Sequence, residues 1–150
     1  MSQEGSRYIL IAEDDADDRL LYEEAIRQGN HQIAYVFVGS GEELIGYLRS
    51  ESNPKPALIM LDFKMPGMSF DDVISAIEDD PKLNRIPLVI VTGSAALGET
   101  RTCVKHIVTK PVTIQEWVNT LDQVFTYGFE NLRLPSPTDG RLSPLTHHPF

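Results

Sequence analysis

Four polar residues, Asp14, Asp62, Thr92 and Lys110, each come at the end of a short run of residues that is typical of a buried strand. These runs cover residues 8–12, 57–61, 88–91 and 106–109. In an open parallel α/β sheet, ligands bind in the crevice beyond the carboxyl ends of the strands. The spacing therefore predicts one polar site that is built from four strand ends.

The acids of this group are suited to a hard divalent cation. Glu13, Asp14 and Asp62 offer carboxylate oxygens, which Mg²⁺ (or Mn²⁺) prefers as ligands. Crowded carboxylates repel one another, so all three stay ionised only with a cation between them. Because Mg²⁺ usually keeps several water ligands, such a site also has room for a phosphoryl oxygen.

The remaining residues extend this prediction to a reaction. Asp62 can act as a nucleophile toward a phosphoryl group and form an aspartyl phosphate. The incoming charge would be stabilised by the metal, by the ammonium of Lys110 and by the hydroxyl of Thr92. Gly93 leaves the backbone N–H after Thr92 open to the phosphoryl group. The residues together predict metal-assisted phosphoryl transfer to a carboxylate.

Taken singly, each of these residues has an ordinary structural interpretation. Glu13 and Asp14 could cap the first helix and favour its dipole. Asp62 could be a turn residue, Thr92 a strand-end threonine and Lys110 a solvated lysine. Their joint placement on four strand ends of one topology favours a shared site over four unrelated roles.

The elements that position these residues alternate between strand and helix. A further strand is predicted over residues 33–38. Four helices are indicated by the spacing of Leu20, Leu21, Ala25 and Ile26, by the capping pairs Ser40–Glu43 and Thr113–Glu116, and by the cap Ser69. A further helix is predicted over 95–105. Strands that alternate with helices pair in parallel through right-handed crossovers. The predicted fold is α/β, a doubly wound five-stranded parallel sheet flanked by five helices.

The chain divides into one domain with two extensions. Residues 1–6 form an N-terminal extension, residues 7–127 the domain, and residues 128–150 an irregular arm. The arm contains Pro135, Pro137, Pro144 and Pro149 and has no periodicity. At 150 residues, a single domain with a substantial core is expected.

The composition excludes some classes of partner. The formal net charge of −9 argues against binding to nucleic acid or to an anionic membrane surface. The single cysteine fits a reducing compartment, and no apolar run approaches the ~20 residues of a membrane span. We therefore expect a cytoplasmic protein.

The motifs around the site closely resemble those of the receiver domains of two-component response regulators. They are Ile9-Leu10-Ile11-Ala12-Glu13-Asp14-Asp15, Leu61-Asp62-Phe63-Lys64-Met65-Pro66-Gly67-Met68, Val91-Thr92-Gly93-Ser94 and Thr109-Lys110-Pro111-Val112. The resemblance covers residues 7 to about 127 and implies a flavodoxin-like fold. It also implies a phosphorelay in which a sensor histidine kinase phosphorylates Asp62.

The same resemblance implies the roles of the other site residues. Glu13, Asp14, Asp62 and the backbone carbonyl of Lys64 would hold Mg²⁺. Lys110 would contact the phosphoryl group, and its bond to Pro111 would be cis. Thr92 would act as the switch hydroxyl. One departure is Ile107, which stands where the family usually has an aromatic residue that transmits the signal.

A narrower resemblance is to the stand-alone receivers that serve phytochrome-type photoreceptor kinases. It lies in Gly41-Glu42-Glu43-Leu44, Pro81-Lys82-Leu83-Asn84-Arg85-Ile86-Pro87 and Asn131-Leu132-Arg133-Leu134-Pro135. A receiver without an effector domain would be no enzyme toward a separate substrate, and it would signal through its surface to a downstream protein.

Two other functions are open to this sequence. An adaptor receiver that has lost phosphorylation is one, although the acids, the hydroxyl and the lysine are complete. A phosphatase with an aspartate nucleophile is the other, but Asp62 is followed by Phe63 and Lys64, so the second acid of an Asp-x-Asp pattern is missing.

The last helix and the arm also predict a homodimer through the face of the fourth and fifth helices. Trp117 and Val124 are placed at the edge of the apolar stripe of the last helix, where a second subunit could cover them. The alternative is that both are ordinary core residues. Phe129, Leu132 and Leu134 add apolar side chains that one domain is not expected to bury.

Overall fold

A computed structural model describes residues 8–29, 33–93 and 104–133, without the side chains of 105 and 127–133. Its elements are β1 (Tyr8–Ala12), α1 (Ala16–Gln28), β2 (Ala34–Val38), α2 (Gly41–Arg49), β3 (Leu58–Asp62), α3 (Phe70–Glu78), β4 (Leu88–Thr92), β5 (Val104–Thr109) and α4 (Ile114–Arg133). The strands form one parallel sheet in the order β2-β1-β3-β4-β5. The predicted doubly wound five-stranded sheet is confirmed.

Two predicted boundaries are corrected. β5 begins at Val104, so the end of the helix predicted over 95–105 is wrong, while 94–103 lie outside the described residues. α4 continues to Arg133, so the irregular arm predicted from 128 is wrong over its first six residues. The reason is that the first proline of this segment is Pro135, and a proline disfavours helical backbone only at the residue before it. Residues 1–6 and 134–150 lie outside the described part of the chain.

Side-chain caps determine where the helices begin. The hydroxyls of Ser40, Ser69 and Thr113 each accept a hydrogen bond from a backbone N–H three residues later, over 3.0–3.1 Å. Glu116 completes its predicted box by accepting from the backbone N–H of Thr113 at 3.4 Å. Glu43 instead accepts from Gly39, one residue before its cap. Each cap stabilises its helix by about 1 kcal/mol.

The core has two layers, one on each face of the sheet. Ile9 and Ile11 of β1 pack with α1 and α4, whereas Leu10 and Ala12 pack with α2 and α3. Neighbouring side chains of a strand point to opposite faces, so strands covered on both sides read as continuous apolar runs. This double burial holds the strand ends in place.

The burial of Trp117 and Val124 corrects their predicted role in a dimer. Each is about 1% exposed within a single chain, and the ring of Trp117 lies 4.7 Å from that of Tyr22, centroid to centroid. Because α1 packs beside α4 on the same face of the sheet, it covers the flank of the stripe that the sequence suggested was open. Both are therefore core residues of one chain.

Among the described helices, none combines the length and the apolar composition that a crossing of the lipid bilayer requires.

Two glycines offer a matched test of the fold. Gly67 has φ of 90°, and a Cβ there would collide with the carboxylate of Glu42. Gly46 lies exposed in α2, and a Cβ there would meet nothing within 4 Å. We expect Gly67→Ala to lower the free energy of unfolding by about 1–2 kcal/mol because of its left-handed backbone. Gly46→Ala should raise it by about 0.5–1 kcal/mol.

Urea unfolding of both variants measures the two changes. Adding Glu42→Ala to Gly67→Ala removes the collision but not the backbone cost, so the double variant should stay less stable than wild type. If the Gly67→Ala protein is as stable as wild type, the left-handed backbone at this position does not require glycine.

Candidate metal and phosphoryl site

The predicted site residues meet at the carboxyl edge of the sheet. Glu13 follows β1, Asp62 ends β3, Thr92 ends β4 and Lys110 follows β5. These strands are consecutive neighbours in the sheet, and the backbone N–H of Lys110 donates to the carbonyl of Thr92 at 2.6 Å. The four strand ends therefore form one row, as the sequence predicts.

Three carboxylates form a compact group of oxygen donors. One oxygen each of Glu13, Asp14 and Asp62 lies within 4.8 Å of the others. Glu13 and Asp62 are buried, whereas Asp14 is exposed. A cation held by two buried oxygens and one at the surface would keep open positions for water or a phosphoryl oxygen. The donor set fits Mg²⁺ or Mn²⁺.

Glu13 is fixed through both its backbone and its side chain. Its backbone N–H donates to the carbonyl of Val38 at 2.9 Å, and its carbonyl accepts from Nε of Arg19 at 2.6 Å. Its Oε2 accepts from the backbone N–H of Asp15 at 3.1 Å. The carboxylate is thus oriented before any ligand arrives.

The environment makes ionisation of Glu13 unfavourable. Burial, followed by the negative charges of Asp62 and Asp18, raises the pKa of the Glu13 carboxyl to about 7. The N–H of Asp15 and the charge of Lys110 oppose this shift only in part. A divalent cation would relieve the repulsion, which is the electrostatic reason to expect one here.

Lys110 contacts three carboxylates. Its Nζ lies 2.8 Å from Oδ2 of Asp18, 3.2 Å from Oδ2 of Asp62 and 3.4 Å from Oε1 of Glu13. Burial acts to lower the pKa of Lys110, but these acids outweigh burial and raise the pKa. Lys110 therefore carries a positive charge directly beside the predicted nucleophile.

Sequence reasoning missed Asp18 as a partner of Lys110. A signal for it exists, because Asp18, Tyr22 and Ala25 are spaced along one helical face, and Tyr22 and Ala25 are buried. That face turns the first-turn carboxylate of α1 toward the site.

A comparison with known protein families identifies the fold. The family described as the response regulator receiver domain matches residues 9–122. This chain belongs to the response regulator receiver family.

Similar receivers include Rcp1 from Synechocystis sp. (strain ATCC 27184 / PCC 6803 / Kazusa), which is 25% identical over 146 residues, covering 91% of this chain and 99% of Rcp1. The response regulator DivK of Brucella ovis (strain ATCC 25840 / 63/290 / NCTC 10512) is 25% identical over 121 residues, covering 77% of this chain and 94% of DivK. Among solved structures, the phosphorylated cyanobacterial phytochrome response regulator RcpA has a TM-score of 0.72 at 26% identity, covering 87% of this chain and 99% of RcpA. The Mn²⁺-bound form of Rcp1 has a TM-score of 0.70 at 23% identity, covering 87% of this chain and 99% of Rcp1. At this identity it supports the fold alone.

The receiver resemblance also assigned roles to Thr92, Lys64 and Gly93. Thr92 is buried at the end of β4. The backbone N–H of Lys64 donates to Oδ1 of Asp62 at 3.1 Å, whereas its carbonyl as a metal ligand stays a prediction. A Cβ at Gly93 would meet nothing within 4 Å, so packing does not require glycine and its phosphoryl contact also stays a prediction.

Two features of the receiver differ from the family pattern. The bond between Lys110 and Pro111 is trans, so the predicted cis bond is wrong. The trans form of a bond before proline is the favoured one, by about 0.5–1 kcal/mol. Ile107 is half-buried and packs against the α2/α3 layer of the core.

Tyr22 and Trp117 form an aromatic pair on the face of the sheet that α1 and α4 cover. Tyr22 is fully buried, and its hydroxyl has no hydrogen-bond partner among the described residues. Burial, together with the charges of Glu13, Asp62 and Asp18, raises the pKa of Tyr22. The ring of Tyr22 contacts that of Trp117, so Tyr22 links the packing of α1 to that of α4.

Proposed function

We propose that this receiver accepts a phosphoryl group on Asp62 from a phosphohistidine of a sensor histidine kinase. The observation that carries the proposal is the surroundings of Asp62: its carboxylate lies 3.2 Å from the ammonium of Lys110 and within 4.8 Å of oxygens of Glu13 and Asp14. A buried carboxylate at a strand end, between a cation and two metal-binding acids, is suited to nucleophilic attack on phosphorus.

The proposed step transfers one phosphoryl group between two residues. An oxygen of Asp62 forms a bond to phosphorus while the phosphorus–nitrogen bond of the phosphohistidine breaks. The imidazole nitrogen keeps the electron pair of that bond and takes a proton from solvent. Lys110 and Thr92 then contact the new phosphoryl oxygens. Mg²⁺, held by Glu13, Asp14, Asp62 and the carbonyl of Lys64, would neutralise their charge.

The partners in this proposal are proteins. The resemblance to Rcp1 and to the phytochrome response regulator RcpA supports a phytochrome-type kinase as the phosphoryl donor. We propose that the receiver acts in the cytoplasm, catalyses only its own phosphorylation and dephosphorylation, and signals to a downstream protein through its surface.

Direct phosphorylation tests this function. The full chain is incubated with acetyl phosphate and Mg²⁺, and its intact mass is measured; we expect the gain of one phosphoryl group, and no gain in EDTA. Hydroxylamine should remove the group, because acyl phosphates react with it. A folded chain that gains no mass beside a receiver that does load would contradict the proposal.

We also propose that the receiver forms a homodimer through the continuation of α4 and the residues after it. The amino-acid sequence supports this proposal, because the apolar residues Phe129, Leu132 and Leu134 follow the buried Phe125.

Light scattering tests the dimer. A Phe129→Ser, Leu132→Ser double variant should be a monomer at a concentration at which wild type has the mass of a dimer. Leu20→Ser is the control, because Leu20 is 62% exposed on α1 and its loss should leave the mass unchanged. A dimeric double variant would reject this surface, and a monomeric wild type would reject the dimer itself.

A further inference from the structure

We propose that Asp18 is a positioning residue that holds the ammonium of Lys110 beside the metal site and ready for the phosphoryl group. This inference rests on the proposed function, because it gives Lys110 its role there. Asp18 lies outside the group of three metal-binding carboxylates and was not predicted to take part in the site.

The distances single out Asp18 among the partners of Lys110. The contact to Asp18 is 2.8 Å, within the 2.7–2.9 Å that is typical of a charge-assisted hydrogen bond. The contacts to Asp62 and Glu13 are longer, at 3.2 and 3.4 Å. Both side chains of the Asp18–Lys110 pair are about four-fifths covered, which limits screening by solvent.

The two longer contacts involve residues that a metal would also use. Glu13 and Asp62 both belong to the cation-binding group. A divalent cation among their oxygens repels an ammonium ion at the same oxygens. Of the three carboxylates that contact Lys110, Asp18 is therefore the one that can hold the ammonium while the metal is bound.

The backbone of Asp18 is well placed for this role. It lies in the first turn of α1, one helical turn before Tyr22, whose fully buried ring packs against Trp117. Residues four apart share a helical face, so the buried face of α1 fixes the direction of Asp18. Lys110 is held from two sides, by its own strand end and by this helix.

Asp17 is the matched control. It is an aspartate in the same turn of α1, but it is exposed, and the structure gives it no contact with Lys110. Asp17→Asn and Asp18→Asn remove the same charge near the same helix N-terminus. Acetyl phosphate is an anion, so loss of negative charge alone should leave its reaction unchanged or make it faster in both variants.

The first measurement is the rate of phosphorylation by acetyl phosphate at saturating Mg²⁺. We expect Asp18→Asn to slow phosphorylation about tenfold, which corresponds to the loss of one hydrogen bond between charged groups. Asp17→Asn should not slow phosphorylation. Asp18→Glu should recover part of the rate. In a Lys110→Met background, Asp18→Asn should cause no further slowing. Equal rates in Asp17→Asn and Asp18→Asn, or the same slowing without Lys110, would overturn the proposal.

The second measurement does not depend on phosphorylation. In NMR spectra of lysine ammonium groups, we expect a resolved Lys110 signal in the Mg²⁺-loaded wild type and in Asp17→Asn, but not in Asp18→Asn. A Lys110 signal unchanged in Asp18→Asn would reject the role of Asp18. If wild type loads no phosphoryl group, the proposed function fails, and these spectra still decide whether Asp18 holds Lys110.

Discussion

Replacing Asp62 with asparagine should abolish phosphorylation and at the same time make the metal-free protein more stable. The amide is not a nucleophile, so loading by acetyl phosphate should fall by more than about 100-fold. The side-chain oxygen of asparagine can still accept the 3.1 Å hydrogen bond from the N–H of Lys64, so the loop after β3 keeps its anchor. Loss of function therefore does not require loss of fold.

The gain in stability comes from removing one of three crowded carboxylates. Their oxygens lie within 4.8 Å of one another, and Lys110 keeps its contacts to Asp18 and Glu13 when the charge of Asp62 is lost. We expect the free energy of unfolding in EDTA to rise by about 1 kcal/mol. Saturating Mg²⁺ should remove this advantage, because the wild type binds the cation more tightly than the variant does.

Asp71→Asn is the control for this experiment. Asp71 is an exposed acid in the first turn of α3, where its charge favours the helix dipole. This variant should load phosphate like wild type and gain no stability. Intact mass after acetyl phosphate and thermal unfolding in EDTA provide the two measurements. An Asp62→Asn protein that still gains a phosphoryl group would place the acceptor elsewhere.

The strands and their polar ends could be predicted from the sequence because burial on both faces leaves a simple pattern. Residues such as Ile9, Ile59 and Ile90 are fully buried, so β1, β3 and β4 are apolar runs with a polar residue at or just after the strand end. In a parallel sheet the carboxyl ends of these runs lie at one edge. That rule placed Asp62, Thr92 and Lys110 together although they are far apart in the chain.

The orientation of α1 could not be predicted in the same way. The spacing of Leu20, Leu21, Ala25 and Ile26 indicated its buried face, but Leu20 is 62% exposed and Tyr22 is fully buried. A tyrosine has both an apolar ring and a polar hydroxyl, so hydrophobic spacing alone does not decide whether it points inward. Because the sequence pattern predicted the wrong buried face of α1, it did not reveal that Asp18, which shares the face of Tyr22, points toward the site.

The periodicity of the sequence could not predict how α4 packs either. A stripe on one helix shows which residues are apolar, but not how far a neighbouring helix covers them. α1 reaches far enough over the sheet for Tyr22 to contact Trp117, and this contact makes Trp117 a core residue.

The raised pKa of Glu13 leads to a large dependence of stability on pH in the metal-free protein. The ordinary pKa of 4.5 applies to the unfolded chain, whereas the folded value is about 7. The folded state thus binds a proton more tightly than the unfolded state does. This contribution to stability is complete below about pH 4.5 and is lost as the pH rises through 7. Over that range the free energy of unfolding in EDTA should fall by up to about 3 kcal/mol.

Urea unfolding at pH 5 and pH 8, in EDTA and in Mg²⁺, tests this dependence. Glu13→Gln keeps the shape of the side chain but cannot ionise, so most of the loss between the two pH values should disappear in that variant. Mg²⁺ binds the ionised carboxylate, so it should stabilise the wild type more at pH 8 than at pH 5. A wild type in EDTA that is more stable at pH 8 than at pH 5, with Glu13→Gln following it, would show that Glu13 ionises without cost. In that case the carboxylates would not need a cation to share the pocket.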